Sequence, residues 1–358
     1  MDIPDQKNTL REALIMQRRT TLAVYRDLPA SHWLPIQFPF SAVTNPPLWE
    51  LGHVAWFAEF FAVRWAAEDG HGLRIRPLLD GADELFNSSL VPHTARWTNI
   101  YPSPPECVAY MEASLSRVLD ALATDDGTRL PLFQLVLAHE DMHFEALLMT
   151  LRVLDLPLPA PFLPVIKNQY SIAPPDPLRF AGGAFLLGHS ARSFRFDNEF
   201  PARATTIAPF EIDALPVSAA ALAAWRGRDA PQDADDHVAM HVSHDEASAF
   251  ARDHGRRLPT EAEWEFAATC GGEASARFMQ STGQVWEWTD SEFAPFPGFV
   301  AGPYADYSAP WFADRGVRHM VLKGGSFATH PRIKYPQYRN FYTPDRHDMF
   351  CGFRTCAV

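Results

Sequence analysis

Two histidines one helical turn apart, His139 and His143 in LAHEDMHFEALL, and a third, His53 in PPLWELGHVAWFAEFF, are the residues here best suited to chemistry. Side chains at i and i+4 leave the same face of a helix. All three histidines fall on apolar stripes, which turns them toward a helical interior. Two interior imidazoles a turn apart would repel if protonated, and a shared cation removes that repulsion. Three neutral imidazoles around one metal leave coordination positions open, which points to an enzyme rather than a scaffold. The oxygen-activating arrangement of two His and one carboxylate is the nearest relative of such a set. With a third His in place of the carboxylate the metal stays more positive, which suits an anionic thiolate or selenolate. The spacing leaves iron, zinc and nickel open. It also leaves open three unrelated core histidines, each bonded to a carbonyl or carboxylate.

Taken literally, His139-Glu140-Asp141-Met142-His143 matches HExxH, the zinc-hydrolase helix whose Glu is the general base. No downstream Glu or His stands at a protease spacing, and His53 on an earlier segment fits that architecture poorly. Glu145 falls off the His face.

The elements that must position these residues read as helices over 1–156. Leu10, Leu14, Gln17, Thr21, Val24 and Leu28 form a stripe that Pro29 stops. A second helix opens after Asn45, with Pro46 or Pro47 in its first turn, where a missing N–H costs nothing. Ser103, Pro104 and Glu106 form a capping box for a third. A fourth runs from about Leu130 to Leu154. Four helices, each with one apolar face, predict a four-helix bundle. Seven prolines between Pro157 and Pro177 mark a linker, 157–177. Beyond it, 178–358 reads as α+β with short strands, Gly-Gly pairs and aromatic loops. Its helices are expected at about His244–His254 and, opened by a Thr260/Glu263 capping box, at Thr260–Ala268.

Composition narrows the function classes. A net charge of −12 without a Lys/Arg stripe argues against nucleic acid as a partner. The start, MDIPDQKNTLREAL, has no apolar core of a secretory signal, and the apolar run near Trp56 is broken by Glu59 and Arg64 too soon for a membrane span. Four cysteines over 358 residues make no disulfide framework, so a reduced, cytoplasmic location is expected. Cys351 and Cys356, five apart, would face opposite sides of one strand, so a copper–thiolate site is not expected.

The second half carries an ordered set of segments: Phe180-Ala-Gly-Gly-Ala-Phe185, Asp197-Asn-Glu-Phe-Pro201, Val242-Ser-His-Asp-Glu-Ala247, Arg257-Leu-Pro-Thr-Glu-Ala-Glu-Trp-Glu265, Gly283-Gln-Val-Trp-Glu-Trp-Thr289, Lys323-Gly-Gly-Ser-Phe327 and Cys351-Gly-Phe-Arg354. The set resembles the formylglycine-generating-enzyme (sulfatase-modifying-factor) fold, a C-type-lectin-like α+β domain. The first half resembles the DinB-like bundle, and HEDMHFE is similar to that family's HxxxHxE metal motif. Together they resemble the sulfoxide synthases of ergothioneine and ovothiol biosynthesis. This resemblance implies a non-haem Fe(II) enzyme that uses O2 to join sulfur to an imidazole carbon of histidine or hercynine. It also implies metal ligation by His53, His139 and His143. Loops of the second domain would then cover the open face of the metal.

Within that group, SAVTNPPLWELGHVAWFAEFF and GQVWEWTDSEFAPFPGF are most similar to the selenoneine synthases, which couple hercynine with a selenosugar. Met142 stands where a glutamine often helps hold hercynine, and Tyr342 where some members have a donor-binding Asp. The stretch between Cys270 and Gly283 is shorter than usual, so part of the family's loop scaffold is missing. The resemblance implies substrate contacts at Asn340, Phe341, Tyr342, Met142 and Arg96, and a catalytic acid at Tyr304 or Tyr307. Each has a plainer reading: a turn residue for Asn340, a solvated charge for Arg96, a buried phenol for the tyrosines. A trimethylammonium group calls for aromatic faces, and Trp288, Phe293, Phe296, Phe299, Trp311 and Phe312 add to the supply, although most must be core. Arg354 reads as a structural ion-pair residue. The expected activity is C–Se bond formation at the imidazole C2 of hercynine, with a thiol donor and C–S bond formation as the alternative. A zinc hydrolase is the third reading.

Overall fold

The structure is a computed structural model that describes residues 2–65, 75–163, 175–190, 194–229, 237–278, 281, 283–313 and 316–358. The chain divides into two compact units, Met1–Pro159 and Ala160–Val358. Of the proline-rich linker expected at 157–177, residues 164–174 lie outside the described residues, and Ala160–Phe162 forms a single 3-10 turn.

The first unit holds helices α1 (Ile3–Asp27), α2 (Pro47–Glu59), α3 (Ala82–Phe86), α4 (His93–Arg96), α5 (Pro104–Thr124) and α6 (Leu130–Val153). The long four are those the periodicity predicts. Local chemistry sets their ends: Asp2 caps α1 by accepting the Asp5 N–H at 2.9 Å. The Ser103 N–H donates to Glu106 at 2.7 Å in the capping box of α5.

One expectation fails. Helix α2 does not have a single apolar face, because every residue from Pro47 to Glu59 is buried. Its second face is covered by the segment containing α3. Trp49 Nε1 donates to the Leu85 carbonyl at 2.9 Å and Trp56 Nε1 to Asp83 at 2.6 Å. Even Glu59 is enclosed, accepting from Tyr110 at 3.0 Å and from the Leu78 N–H at 2.9 Å, and paired with Arg117. A helix enclosed on all sides is a rigid place to mount a functional side chain. Beyond Glu59 the chain continues as one π-helical turn, Phe60–Arg64.

The second unit is built on short strands: β1 (Leu178–Phe180), β2 (Gly183–Leu187), β3 (Arg203–Ile207), β4 (Phe210–Ile212), β5 (Arg256–Arg257), β6 (Trp286–Glu292), β7 (Met320–Lys323), β8 (Asn340–Tyr342), β9 (Cys351–Gly352) and β10 (Cys356–Ala357). They form sheets of order β1-β4-β10-β5 and β8-β7-β6-β9, and a β2-β3 hairpin. Helices α7 (Ala219–Trp225), α8 (His244–Asp253), α9 (Glu261–Thr269) and α10 (Glu273–Ala276) accompany them. The α7 helix, capped by Ser218, was not anticipated, since its seven residues are too few for a clear period. Leu178, Phe180, Phe210, Ile212, Trp264, Phe266 and Phe278 form the core against the first sheet.

Strands this short leave long connections, and buried ion pairs tie them down. Arg354 pairs with Glu287 at 2.5 Å, Arg339 with Glu261 at 2.8 Å and Lys323 with Glu265 at 2.9 Å. Breaking such a pair costs about 3–5 kcal/mol, because one charge is left buried alone. The ion-pair reading of Arg354 thus holds. Cys351 and Cys356 do not share a strand: they stand in different sheets, β9 and β10, which separates the thiols more firmly than the expected alternation. No helix among the described residues is long and apolar enough to cross a membrane.

Candidate metal centre

Helices α2 and α6 bring the three histidines together. One ring nitrogen from each of His53, His139 and His143 lies within 4.8 Å of the other two. His53 and His139 are each 1% exposed, and His143 is half-buried. The ring centroids are 5.1 Å apart for His53–His139, 4.7 Å for His53–His143 and 4.2 Å for His139–His143. Nitrogens this close together are within reach of one shared ion.

The rings are held from behind. His53 Nδ1 donates to the Phe86 carbonyl at 2.8 Å. A carbonyl can only accept, so the proton sits on Nδ1 and Nε2 presents its lone pair. His143 Nδ1 donates to Glu50 Oε1. Both are the partnerships that fix the tautomer of a metal-ligating histidine. Stacking completes the support: Trp49 lies on His53 at 4.7 Å and 9°, and Phe57 on His139 at 3.4 Å and 3°.

The electrostatics favour neutral donors. Burial holds the His53 imidazole well below its usual pKa, and neighbouring His143 adds to the effect. Burial does the same to His139, with His143 and His53 adding to it. Neutral imidazoles at His53 and His139, with His143 beside them, suit a divalent transition ion, and this donor set fits one. The reading of three unrelated core histidines does not describe this geometry.

The HExxH match finds no support in the site. Glu140 is turned away from the histidines, accepting from Arg18 Nε at 3.0 Å, Arg18 Nη2 at 3.0 Å and Thr21 Oγ1 at 3.0 Å. It and Arg18 form a buried ion pair, 3% exposed on each side. A carboxylate so occupied does not activate water.

The other expected residues divide between the units. Met142 is half-buried on α6 between the two histidines of the motif. Arg96, at the end of α4, is not a solvated charge. It is half-buried, with Nη1 donating to Asn45 Oδ1 at 2.9 Å and Nη2 to the Ser88 carbonyl at 3.1 Å. In the second unit, Asn340 is no turn residue: it opens β8, and its Oδ1 accepts the Phe341 N–H at 2.9 Å. Phe341 stacks on Phe293 at 4.0 Å, and the Tyr342 ring lies 4.7 Å from the Arg346 guanidinium carbon. Tyr307 shares a hydrogen bond with Tyr338 at 3.0 Å, and its ring lies tilted 5.9 Å from that of Tyr304. Burial, with Tyr338 close by, pushes the Tyr307 phenol well above its usual pKa, so it stays protonated. Trp288, Phe293, Phe296 and Phe312 are core, each no more than 4% exposed.

Sequence reasoning missed Glu50, Gly52 and the Phe86 carbonyl. Glu50 had a signal, being an acid on an apolar helix three residues, or one face, before His53. Gly52 had another, because a glycine inside a helix marks a close approach. A β-carbon there would lie 2.1 Å from the Phe86 ring. The carbonyl had none.

With this geometry in hand, comparison with known proteins is informative. The profile of the sulfatase-modifying factor enzyme 1-like domain matches residues 164–282 and 278–357, and that of the DinB superfamily residues 13–147. The expected pairing of a DinB-like helical unit with a sulfatase-modifying-factor-like unit is therefore correct. A protein named hercynine oxygenase from Mycolicibacterium smegmatis is 28% identical, covering 97% of this chain and 98% of its own. One of the same name from Mycobacterium tuberculosis is 29% identical over 88% of this chain and 91% of its own. A formylglycine-generating enzyme from Streptomyces coelicolor is 28% identical over 50% of this chain and 74% of its own.

Proposed function

The chain belongs to the sulfatase-modifying factor enzyme 1-like family through its second unit, and from that premise we propose that it is a hercynine-modifying oxygenase built on a three-histidine metal centre. The metal is Fe(II), the co-substrate is O2, and the product carries a new bond at C2 of the hercynine imidazole. The partner in that bond is a selenosugar, giving C–Se bond formation. The observation that carries the reading is the buried group of His53, His139 and His143, whose nitrogens lie within 4.8 Å of one another on the helical unit. The hercynine oxygenases to which the chain is similar over nearly its full length support the substrate.

When bound, the iron would supply one-electron chemistry with O2 and a shared coordination sphere for the reacting partners. The chain's own residues do the rest. His53, His139 and His143 offer the ring nitrogens, and burial keeps His53 and His139 neutral. Phe86 and Glu50 fix the tautomers of His53 and His143. Phe57, Trp49 and Trp56 close the apolar wall that keeps water from His53 and His139. Asn340, Phe341, Tyr342, Met142 and Arg96 are proposed as substrate positions, and Tyr304 or Tyr307 as the proton source. Tyr307 enters that role as a phenol that retains its proton.

A selenium donor is favoured over sulfur by two residues. Met142 puts a soft, uncharged thioether one residue from His143, where an amide would hydrogen-bond. Tyr342 puts an aromatic ring where a carboxylate would meet a charged donor.

The test is anaerobic loading with Fe(II), followed by O2 with hercynine and a panel of selenosugar, selenol and thiol donors, read by mass spectrometry. A hercynine adduct of the selenosugar is the expected product. Adducts with thiols alone would move the donor to sulfur, and failure of every donor would end the synthase reading.

A further inference from the structure

We propose that Arg96 is a positioning residue for two of the three candidate ligands, acting on His143 through Asn45 and Glu50 and on His53 through Trp49. The inference rests on the reading of the three histidines as a metal centre, and it gives Arg96 a task apart from touching substrate.

The first arm is a continuous hydrogen-bond chain. Arg96 Nη1 donates to Asn45 Oδ1 at 2.9 Å, and Asn45 Nδ2 donates to Glu50 Oε2 at 2.9 Å. The other carboxylate oxygen, Oε1, accepts from His143 Nδ1. Each link has one workable direction. Guanidinium has only donors and carboxylate only acceptors, so the Asn45 amide must turn its oxygen to Arg96 and its NH2 to Glu50. Opposite charges at the two ends polarise the amide between them and strengthen both bonds. Glu50 is thereby held at both oxygens and cannot rotate away from the imidazole.

The second arm runs through stacking. The Arg96 guanidinium carbon lies 4.1 Å from the Trp49 ring centre, and the same indole stacks on His53 at 4.7 Å and 9°. The indole N–H is tied to the Leu85 carbonyl at 2.9 Å, one residue before the Phe86 carbonyl that receives the His53 proton.

The guanidinium is itself anchored. Nε donates to the Val91 carbonyl at 3.3 Å, and Nη2 to Ser88 and Val91 carbonyls at 3.1 and 3.3 Å. From the end of α4 it is a fixed hub, tied to the Ser88 and Val91 carbonyls of the segment between α3 and α4. A planar fork with donors along three edges can bond to backbone, bond to an amide and stack on an indole at once. A lysine ammonium cannot do all three.

The test reads metal binding in the full-length chain without turnover. Co(II) serves as the probe: its affinity comes from chelator competition, and its visible d–d bands report ligand geometry. Parent, Arg96→Met, Arg96→Lys, Asn45→Leu, Glu50→Gln and the pair Asn45→Leu/Glu50→Gln are compared. Arg96→Met and Glu50→Gln should each weaken Co(II) binding by about 10–100-fold and shift the d–d bands, the usual cost of removing a partner that orients a ligand. Arg96→Lys should fail to restore the parent spectrum. Asn45→Leu should weaken binding in the parent but change it less than twofold when Glu50→Gln has already cut the chain. Should Arg96→Met fail to fold, Asn45→Leu at its half-buried loop position carries the same test. Affinity within twofold of the parent and an unchanged spectrum in folded Arg96→Met and Asn45→Leu would overturn the inference. If the parent takes up no Co(II), the metal-centre reading itself falls and the inference with it.

Discussion

A β-carbon on Gly52 would lie 2.1 Å from Cε1 of Phe86, whose carbonyl accepts the Nδ1 proton of the neighbouring His53. The absence of a side chain at position 52 is thus what lets the segment after α2 come close enough to orient a candidate ligand. An alanine inside a helix is ordinarily about 1 kcal/mol better than glycine. Here the fully buried Phe86 ring has nowhere to go, and overpacking costs about 1–3 kcal/mol. Gly52→Ala should therefore lower the melting temperature and weaken metal binding together. A stabilised variant with unchanged metal affinity would show that Phe86 is not needed at His53.

Glu140→Gln separates the oxygenase reading from the hydrolase reading. Arg18 would lose its buried partner, and the expected cost is about 3–5 kcal/mol of stability. Metal stoichiometry should survive in the fraction that stays folded, since Glu140 faces Arg18 and Thr21 rather than the histidines. Replacing both Arg18 and Glu140 by methionine should recover most of the loss, which calorimetry can read. A hydrolase would instead lose turnover at unchanged stability.

How much of this was legible in the sequence depends on the element. The four long helices were, because each repeats its apolar residues over several turns and α5 is opened by a capping box. The three histidines were, because two share a helical face and the third sits on another apolar stripe. The helices α3 and α4 were not: at five and four residues they have no period, and α3 is held by packing on α2 while α4 reaches it through Arg96 over Trp49. That gap also hid the burial of α2 on all sides and the role of Phe86, whose backbone oxygen carries no sequence signature. The plainer reading of Asn340 as a turn residue fails because it opens a strand, one of only three residues and so without a period to reveal it.

In the second unit, Glu199 supplies a pH prediction. Burial pushes its carboxyl up to about 7, even though it accepts a hydrogen bond from Tyr335 at 2.7 Å. The folded state thus holds a proton that the unfolded chain releases near the ordinary value of 4.5. This contribution to stability is fully present below that ordinary value and is lost as pH rises through about 7. His330 acts in the opposite sense, since burial and Arg332 drag it down to about 4. The Glu199 part is isolated by comparing the parent with Glu199→Gln. The parent should gain about 2–4 kcal/mol relative to the variant between about pH 8 and pH 4. A difference that is flat with pH, by denaturant titration, would contradict the raised value.

The thiols give a simpler check. Cys270 is exposed, while Cys107, Cys351 and Cys356 are buried. Burial pushes the Cys107 and Cys351 thiols up to about 12. One of the four cysteines should react promptly with a disulfide reagent in the native protein, and the other three only on unfolding. Prompt reaction of Cys351 and Cys356 would reopen a thiolate metal site in the second unit.

The central claim is that His53, His139 and His143 together hold one redox-active ion. It is tested most directly by Fe(II) stoichiometry under anaerobic conditions, in the parent and in three single His→Ala variants. The account predicts one iron per parent chain and a large loss of binding in every folded variant, His53→Ala included. Full iron occupancy in His53→Ala, or in either variant of the α6 pair, would contradict it.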